Sequence, residues 1–104
     1  MEVGYYDDFD FNLGWTASTL NNPSSGFWVR DVPIGTFLSG VPVNPGNDIN
    51  TDCGNQAYVT GNGGGQSGTD DIDGGTVVLT SPIFDLSSST DPYIHFDRWF
   101  VNGG

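Results

Sequence analysis

Clusters of aspartate are the residues of this sequence whose type and spacing indicate chemistry. Carboxylates on short side chains, together with the exposed carbonyls of a turn, supply the several oxygen ligands that Ca²⁺ requires. Three such clusters lie at residues 8–10, 48–52 and 70–73, the last of them just before a Gly-Gly pair. We therefore predict a structural calcium site, with candidate ligands among Asp8, Asp10, Asp48, Asp52, Asp70, Asp71 and Asp73.

The charge balance supports a bound cation. Thirteen acids, twelve of them Asp, oppose only Arg30 and Arg98, and the formal net charge is -11. A divalent ion would relieve the repulsion within an aspartate cluster. The alternative is that these aspartates only keep an extracellular or salt-adapted surface soluble, because none of the clusters has the spacing of an EF-hand loop. The same charge argues against binding to nucleic acid or to anionic membrane surfaces.

Catalytic signatures are sparse. Nucleophilic catalysis needs a base beside the nucleophile, and the single histidine, His95, lies in the middle of a predicted strand. The sequence contains no nucleophile elbow, phosphate-binding loop or His/Cys zinc spacing. Two of the many acids would suffice for glycoside hydrolysis, but one of them would need a raised pKa. We predict that the protein is not an enzyme.

Aromatic residues offer a second kind of site. The chain has three tryptophans and four tyrosines, and such side chains either fill a core or form a platform on which sugars stack. The candidates for a ligand-binding surface are Trp28, Tyr58 and Trp99.

The elements that would position these residues are predicted to be strands. Sixteen glycines and six prolines interrupt every stretch long enough for a stable helix, so we predict an all-β fold in a single domain over residues 1–104. Alternation and β-branched content predict strands within 5–15, 15–18, 27–30, 56–60, 76–82 and 93–101. Residues 31–56 are predicted to be irregular, because glycine and proline break every periodic run.

The segment 93–101 has the strongest strand pattern. Its alternation places one set of side chains on a predicted core face: Ile94, Phe96, Arg98 and Phe100. Arg98 would then require a carboxylate partner, because burying an unpaired charge is too costly.

Cellular location is predicted from several absences in the sequence. Cys53 is the only cysteine, so it is a small buried apolar residue, a partner for a cysteine elsewhere, or a reactive thiol. No stretch is long and apolar enough to insert into a membrane, and Met1-Glu2-Val3 does not begin a signal peptide. We expect an extracellular or cell-surface protein whose signal peptide is not in this chain.

Several motifs together resemble a known family. They are Asp8-Phe9-Asp10 followed by Gly14-Trp15-Thr16, Thr51-Asp52 followed by Ala57-Tyr58-Val59-Thr60, and the stretch from Asp71-Ile72-Asp73-Gly74-Gly75 to Asp97-Arg98-Trp99-Phe100. In this order they resemble the MAM-like jelly-roll modules of bacterial secreted and cell-surface proteins. The resemblance extends over nearly the whole chain and matches the N-terminal portion of such a domain.

This resemblance implies a jelly-roll-like antiparallel β-sandwich that is incomplete alone. It also implies a structural calcium, with Asp10 and Asp52 at the positions of family ligands, and a non-catalytic role in adhesion or assembly. The missing strands would come from other copies of the chain or from the remainder of a larger surface protein. Two alternatives stay open: a carbohydrate-binding module that takes glycans, and a subunit of a surface filament completed by strand exchange.

Overall fold

The regular structure of the chain consists entirely of short strands. The computed structural model describes residues 5–101, and within that range it has seven strands of at most five residues and no helix. The prediction of an all-β fold is confirmed. The strands are β1 (Thr16–Leu20), β2 (Trp28–Asp31), β3 (Thr36–Leu38), β4 (Val41–Asn44), β5 (Ala57–Thr60), β6 (Gly65–Gln66) and β7 (Thr76–Thr80).

Three small sheets connect distant parts of the chain. β1 pairs with β7 and β2 pairs with β5, both antiparallel, while β3 lies between β4 and β6 with the β6 pairing parallel. Two-stranded ribbons are at most marginally stable by themselves, so these sheets depend on what packs against their faces. The two-sheet jelly-roll arrangement stays a prediction.

A hairpin interrupts the segment that the sequence predicted to be irregular. β3 and β4 are joined by Ser39-Gly40, whose φ angles of 51° and 81° match the primed turn that suits the twist of a hairpin. Pro42 is tolerated because β4 is an edge strand, where a missing backbone N–H leaves no sheet partner unsatisfied. The prediction of irregular structure is therefore wrong for residues 36–44.

The other strand predictions divide into two groups. Strands are confirmed close to the predicted positions in β1, β2, β5 and β7. The predicted strand within 5–15 is wrong, because the backbone N–H groups of Phe9 and Asp10 bond to the side chains of Asp7 and Asp8 two residues earlier. Such side-chain turns compete directly with strand pairing.

The segment 93–101 is not a strand in the structure. Its residues have no regular secondary structure and every one of them is exposed. The predicted core face is wrong, because Ile94, Phe96 and Phe100 keep 73%, 69% and 76% of their surface accessible. Arg98 is exposed as well, so it needs no carboxylate partner. The alternation describes what the segment would bury, but no neighbouring strand within residues 5–101 pairs with it.

The apolar side chains surround an open cavity where a core would be expected. No hydrophobic residue among 5–101 is buried, and the chain exposes 7892 Å², compared with about 5,700 Å² expected for a compact protein of its mass. Its radius of gyration is 15.6 Å, above the roughly 13 Å of a compact domain of this length. The cavity has a volume of about 1330 Å³, and its lining includes Val77 and Leu79 of β7 together with Phe96 and Phe100.

Candidate functional site

The first loop of the molecule is held together by the carboxylate of Asp7. Its Oδ2 atom accepts hydrogen bonds from the Tyr5 hydroxyl at 2.7 Å and from the Trp15 indole Nε1–H at 2.8 Å. Its Oδ1 atom accepts the backbone N–H of Phe9 at 2.8 Å. One carboxylate therefore fixes the path of the chain from residue 5 to residue 15. Asp7 was not among the predicted site residues, because the sequence alone does not distinguish an aspartate that orders a turn from one that binds a metal.

Phe9 adopts a backbone conformation that is costly for an aromatic residue. Its φ angle is 66°, in the left-handed region that non-glycine residues rarely occupy. The ring packs edge-to-face against Trp15 and Tyr58, with centroids 5.3 and 5.1 Å away. Contacts of this kind are worth about 0.5–1.5 kcal/mol each beyond burial, enough to hold the strained residue in place. A residue in this conformation persists only where the surrounding contacts hold it.

Arg30 on β2 forms hydrogen bonds with the backbone of the same loop. Its Nη1 atom donates to the backbone carbonyls of Phe9 and Asp10 at 3.2 and 3.1 Å and to Oε1 of Gln56 at 2.8 Å. The guanidinium is partly buried, where hydrogen bonds from a charged donor are strong. Arg30 therefore connects the first loop to the segment that enters β5.

The carboxylate of Asp10 lies against the backbone of Gly54. A Cβ atom built at Gly54 would overlap the carboxyl group of Asp10, and the φ angle of Gly54 is 82°. Both the space and the conformation therefore require glycine at this position. The contact brings the first aspartate cluster against the loop that carries the second.

Asp48 and Asp52 complete an acidic group with Asp10. The pKa of Asp48 is raised, first by burial and then by the negative charges of Asp52 and Asp10, although the Ile49 N–H bound to its Oδ1 at 2.8 Å acts in the opposite direction. Asp48 Oδ2 and Asp52 Oδ1 are buried atoms without a hydrogen-bond donor. When both carboxylates are ionised, neither can supply the other with a proton, so two negatively charged oxygens are left unsatisfied.

The donor set of this group fits a hard cation. Within residues 5–101 no three side chains of His, Cys, Asp or Glu are grouped closely enough to hold a metal by themselves. Ca²⁺, however, takes six to eight oxygens and recruits backbone carbonyls and water beside carboxylates. Asp10, Asp48 and Asp52 carry oxygens of the kind that Ca²⁺ prefers, and two of these oxygens have no hydrogen-bond donor. The chemistry of these residues therefore fits calcium only together with further oxygens, and calcium binding stays a prediction.

Asp8 and Tyr6 lie at the edge of this acidic group. Oδ1 of Asp8 accepts the backbone N–H of Asp10 at 3.1 Å, so one of its oxygens orders the loop. The pKa of the Tyr6 hydroxyl is raised, first by partial burial and then by the charges of Asp52 and Asp8. The Tyr6 hydroxyl is thus within electrostatic reach of both Asp52 and Asp8, and the role of Asp8 as a calcium ligand stays a prediction.

The third aspartate cluster forms a separate clasp. The backbone carbonyls of Asp71 and Asp73 accept hydrogen bonds from the Ser25 hydroxyl and, at 2.9 Å, from the Ser24 N–H. Oδ2 of Asp70 accepts the backbone N–H of Gly63 at 3.1 Å. These hydrogen bonds attach the turn at residues 70–73 to two segments, one that precedes β2 and one that precedes β6. The structure does not bring Asp70, Asp71 or Asp73 to the acidic group of Asp10, Asp48 and Asp52.

The three aromatic candidates all line the open cavity. Trp28 and Tyr58 are half-buried on β2 and β5, and Tyr58 also packs against Phe9. Trp99 is 66% exposed and donates from its indole Nε1–H to the carbonyl of Val43 at 3.1 Å. Trp99 therefore combines an accessible ring with a fixed position.

Cys53 is exposed with a free thiol. The interpretation of it as a buried apolar residue is therefore wrong, and the other two interpretations stay open. The described residues contain no helix that could cross a membrane.

Comparison of the chain with protein-family models, with curated proteins and with solved structures finds no match. The MAM-like resemblance therefore stays a prediction, and the functional interpretation depends on the geometry of the chain itself.

Proposed function

We propose that this chain is a non-catalytic, extracellular β-sandwich module that is stabilised by calcium and acts in adhesion or assembly. The observation that carries this function is the open cavity of about 1330 Å³, whose lining includes many apolar side chains. Soluble monomers rarely expose contiguous apolar patches larger than a few hundred Å². An apolar surface of this extent has its natural role in contact with further strands or with another molecule.

Calcium would bind at Asp10, Asp48 and Asp52 and hold the first loop against the loop at 48–54. The support is the pair of orphaned oxygens on Asp48 and Asp52, together with the contact of Asp10 with Gly54. The bound ion would supply positive charge where three carboxylates otherwise repel one another. Affinities of extracellular calcium modules are about 10⁻⁴–10⁻³ M, so such a site is occupied outside the cell.

The assembly role is tested on the isolated chain in the presence of calcium. We expect it to bind a hydrophobic dye and to melt with low cooperativity, because its apolar side chains face water. Sedimentation velocity gives its oligomeric state in the same buffer. A monomer that binds no dye and melts in one sharp transition would contradict the proposed function.

A carbohydrate-binding module is the second candidate. It is favoured by the positions of Trp28, Tyr58 and Trp99, which all line one cavity, and by the accessible ring of Trp99. Sugars stack on such rings, so glycan titration should quench tryptophan fluorescence, and Trp99→Ala should remove most of the quenching. The matched control is Phe11→Ala, since Phe11 is also exposed but does not line this cavity. Fluorescence that does not respond to any glycan would exclude this candidate.

A further inference from the structure

Strand β7 carries a free edge that lacks the usual protection against pairing. β7 pairs with β1 alone, so its second edge has no strand partner within residues 5–101. The ribbon of β1 and β7 contains no charged residue and no proline, although acids are frequent elsewhere in the chain. Proteins usually protect such edges with charges, proline or bulges, because an exposed edge is a template for another strand.

Side chains of the same strand line the open cavity. They are Val77 and Leu79 of β7, and Phe96 and Phe100 line the same cavity. Its volume of about 1330 Å³ exceeds the roughly 300–1,000 Å³ of small-molecule pockets. A strand added beside β7 would place alternate side chains in this space. The geometry therefore suits an extended chain better than a small ligand.

The charges around the cavity select the chemistry of that chain. Three carboxylates outside the proposed calcium site line it, from Asp70, Asp71 and Asp97, against the single guanidinium of Arg98. The whole chain has a net charge of -11, so a second copy would bring the same negative charge to the interface. Like charges brought together at an interface cost several kcal/mol, which disfavours self-association.

We propose that the free edge of β7 and the apolar cavity bind an extended segment of a partner chain that is apolar at alternate positions and flanked by lysine or arginine. The segment adds as a strand to β7, its apolar side chains fill the cavity, and its basic ends face the carboxylates. Main-chain hydrogen bonds supply affinity, and the charges supply selectivity. This inference rests on the proposed assembly role and names the partner at that surface.

The test uses the full chain with calcium and three synthetic peptides. One alternates valine and threonine with lysine at both ends, the second has glutamate in place of lysine, and the third is neutral. We expect the lysine-flanked peptide to bind at least about tenfold more tightly than the glutamate-flanked one in calorimetry, a difference of about 1.4 kcal/mol. The preference should decrease as salt is raised, because exposed charges are screened.

Two exposed acids in one segment give a matched pair of variants. Asp97 lines the cavity and Asp91 does not. Asp97→Asn should weaken binding of the lysine-flanked peptide but leave the neutral peptide unchanged, whereas Asp91→Asn should affect neither. Phe100→Ala, which removes a side chain exposed in the free protein, should weaken all three peptides.

The outcomes distinguish this inference from the proposed function. Equal binding of the lysine- and glutamate-flanked peptides, or self-association without any peptide, would overturn the basic partner while leaving an assembly role intact. A filament of strand-exchanged copies belongs to that outcome and would be visible by electron microscopy. A monomer that melts cooperatively and binds none of the peptides would overturn both.

Discussion

The carboxylate of Asp10 occupies the space that a side chain at position 54 would fill, and Gly54 is the residue that leaves this space free. The relationship joins the first loop to the loop that carries Asp48 and Asp52. It also makes the acidic group sensitive to a change that introduces no charge.

Gly54→Ala is expected to displace the Asp10 carboxylate and to lower calcium affinity by about tenfold, or about 1.4 kcal/mol. Gly40→Ala is the matched control. Gly40 has a φ angle of 81°, nearly that of Gly54 at 82°, but nothing lies within 4 Å of its added Cβ. Both variants carry the backbone cost of about 1–2 kcal/mol for a side chain in the left-handed region. Only Gly54→Ala should change the calcium titration, and equal effects on calcium would show that Asp10 is not a ligand.

Calcium is expected to stabilise the chain through Asp52. At ten times its dissociation constant a ligand contributes about 1.4 kcal/mol, which raises the Tm of a domain of this size by roughly 6–11 °C. Asp52→Asn should abolish most of this increase, because it removes a charge at an orphaned oxygen. Asp71→Asn, in the separate clasp, should preserve it. Thermal melts in calcium and in chelator measure the difference, and a Tm that chelator leaves unchanged would contradict the metal site.

Asp48→Asn is expected to change the stability of the chain in opposite directions with and without calcium. The pKa of Asp48 is raised above 3.8 in the folded state, so the folded protein holds this proton more tightly than the unfolded chain does. The proton on Asp48 therefore stabilises the folded state fully below the pKa that Asp48 has in the unfolded chain. This stabilisation is lost as the pH rises through the pKa of Asp48 in the folded state. Without metal near neutral pH, Asp48→Asn should therefore be more stable than the parent chain.

With calcium the order should reverse, because the ion needs the ionised carboxylate. Urea unfolding in chelator and in calcium, repeated at acidic and neutral pH, gives all four comparisons. If Asp48→Asn is less stable than the parent in chelator at neutral pH, the unfavourable contact with Asp52 and Asp10 is not present in solution.

Asp7→Ala is expected to cost about 2–4 kcal/mol of folding stability. It removes an acceptor used by the Tyr5 hydroxyl, the Phe9 N–H and the Trp15 indole. Hydrogen bonds to charged groups contribute about 1.5–3 kcal/mol each after exchange with water, and these bonds are exposed or only partly buried, so their total is smaller than the sum. Asp8→Ala removes only the bond to Asp10 N–H and should cost less. Near-ultraviolet circular dichroism of Trp15 and urea unfolding measure the two variants. Equal costs would show that Asp7 does not organise the loop.

The sequence predicted candidate calcium ligands but not how they are grouped. Asp10, Asp48 and Asp52 come from two clusters some forty residues apart, and the structure brings them together, while calcium binding by them stays a prediction. The sequence could not separate these three residues from the turn at 70–73, because an aspartate-rich turn and an aspartate-rich metal site have similar compositions. Gly54 was not singled out, since its necessity comes from the contact with Asp10 and not from its neighbours in sequence.

Strand pairing was the second limit of prediction. The Ser39-Gly40 turn is a hairpin signal, but Pro42 beside it indicated a break, and only the edge position of β4 explains why proline is allowed there. For residues 93–101 the alternation is strong, yet a strand requires hydrogen bonds from a neighbour. Sequence pattern reports which side chains would be buried, and it does not report whether the partner strand is in the chain.

Phe96→Ala distinguishes these two possibilities in solution. Because Phe96 is 69% exposed, its truncation should change the free energy of unfolding by no more than about 0.5 kcal/mol. A core phenylalanine would cost about 3–5 kcal/mol. Phe84→Ala is the matched control, since Phe84 is half-buried and its ring lies 4.6 Å from that of Tyr5, so this variant should cost more.

Urea unfolding of both variants gives the comparison. A cost above about 2 kcal/mol for Phe96→Ala would show that residues 93–101 are packed in the isolated chain. The cavity would then be filled by the chain's own segment, and the surface proposed for a partner would be lost. A small cost for Phe96→Ala that becomes large when the lysine-flanked peptide is bound would instead place Phe96 at the interface that this peptide completes.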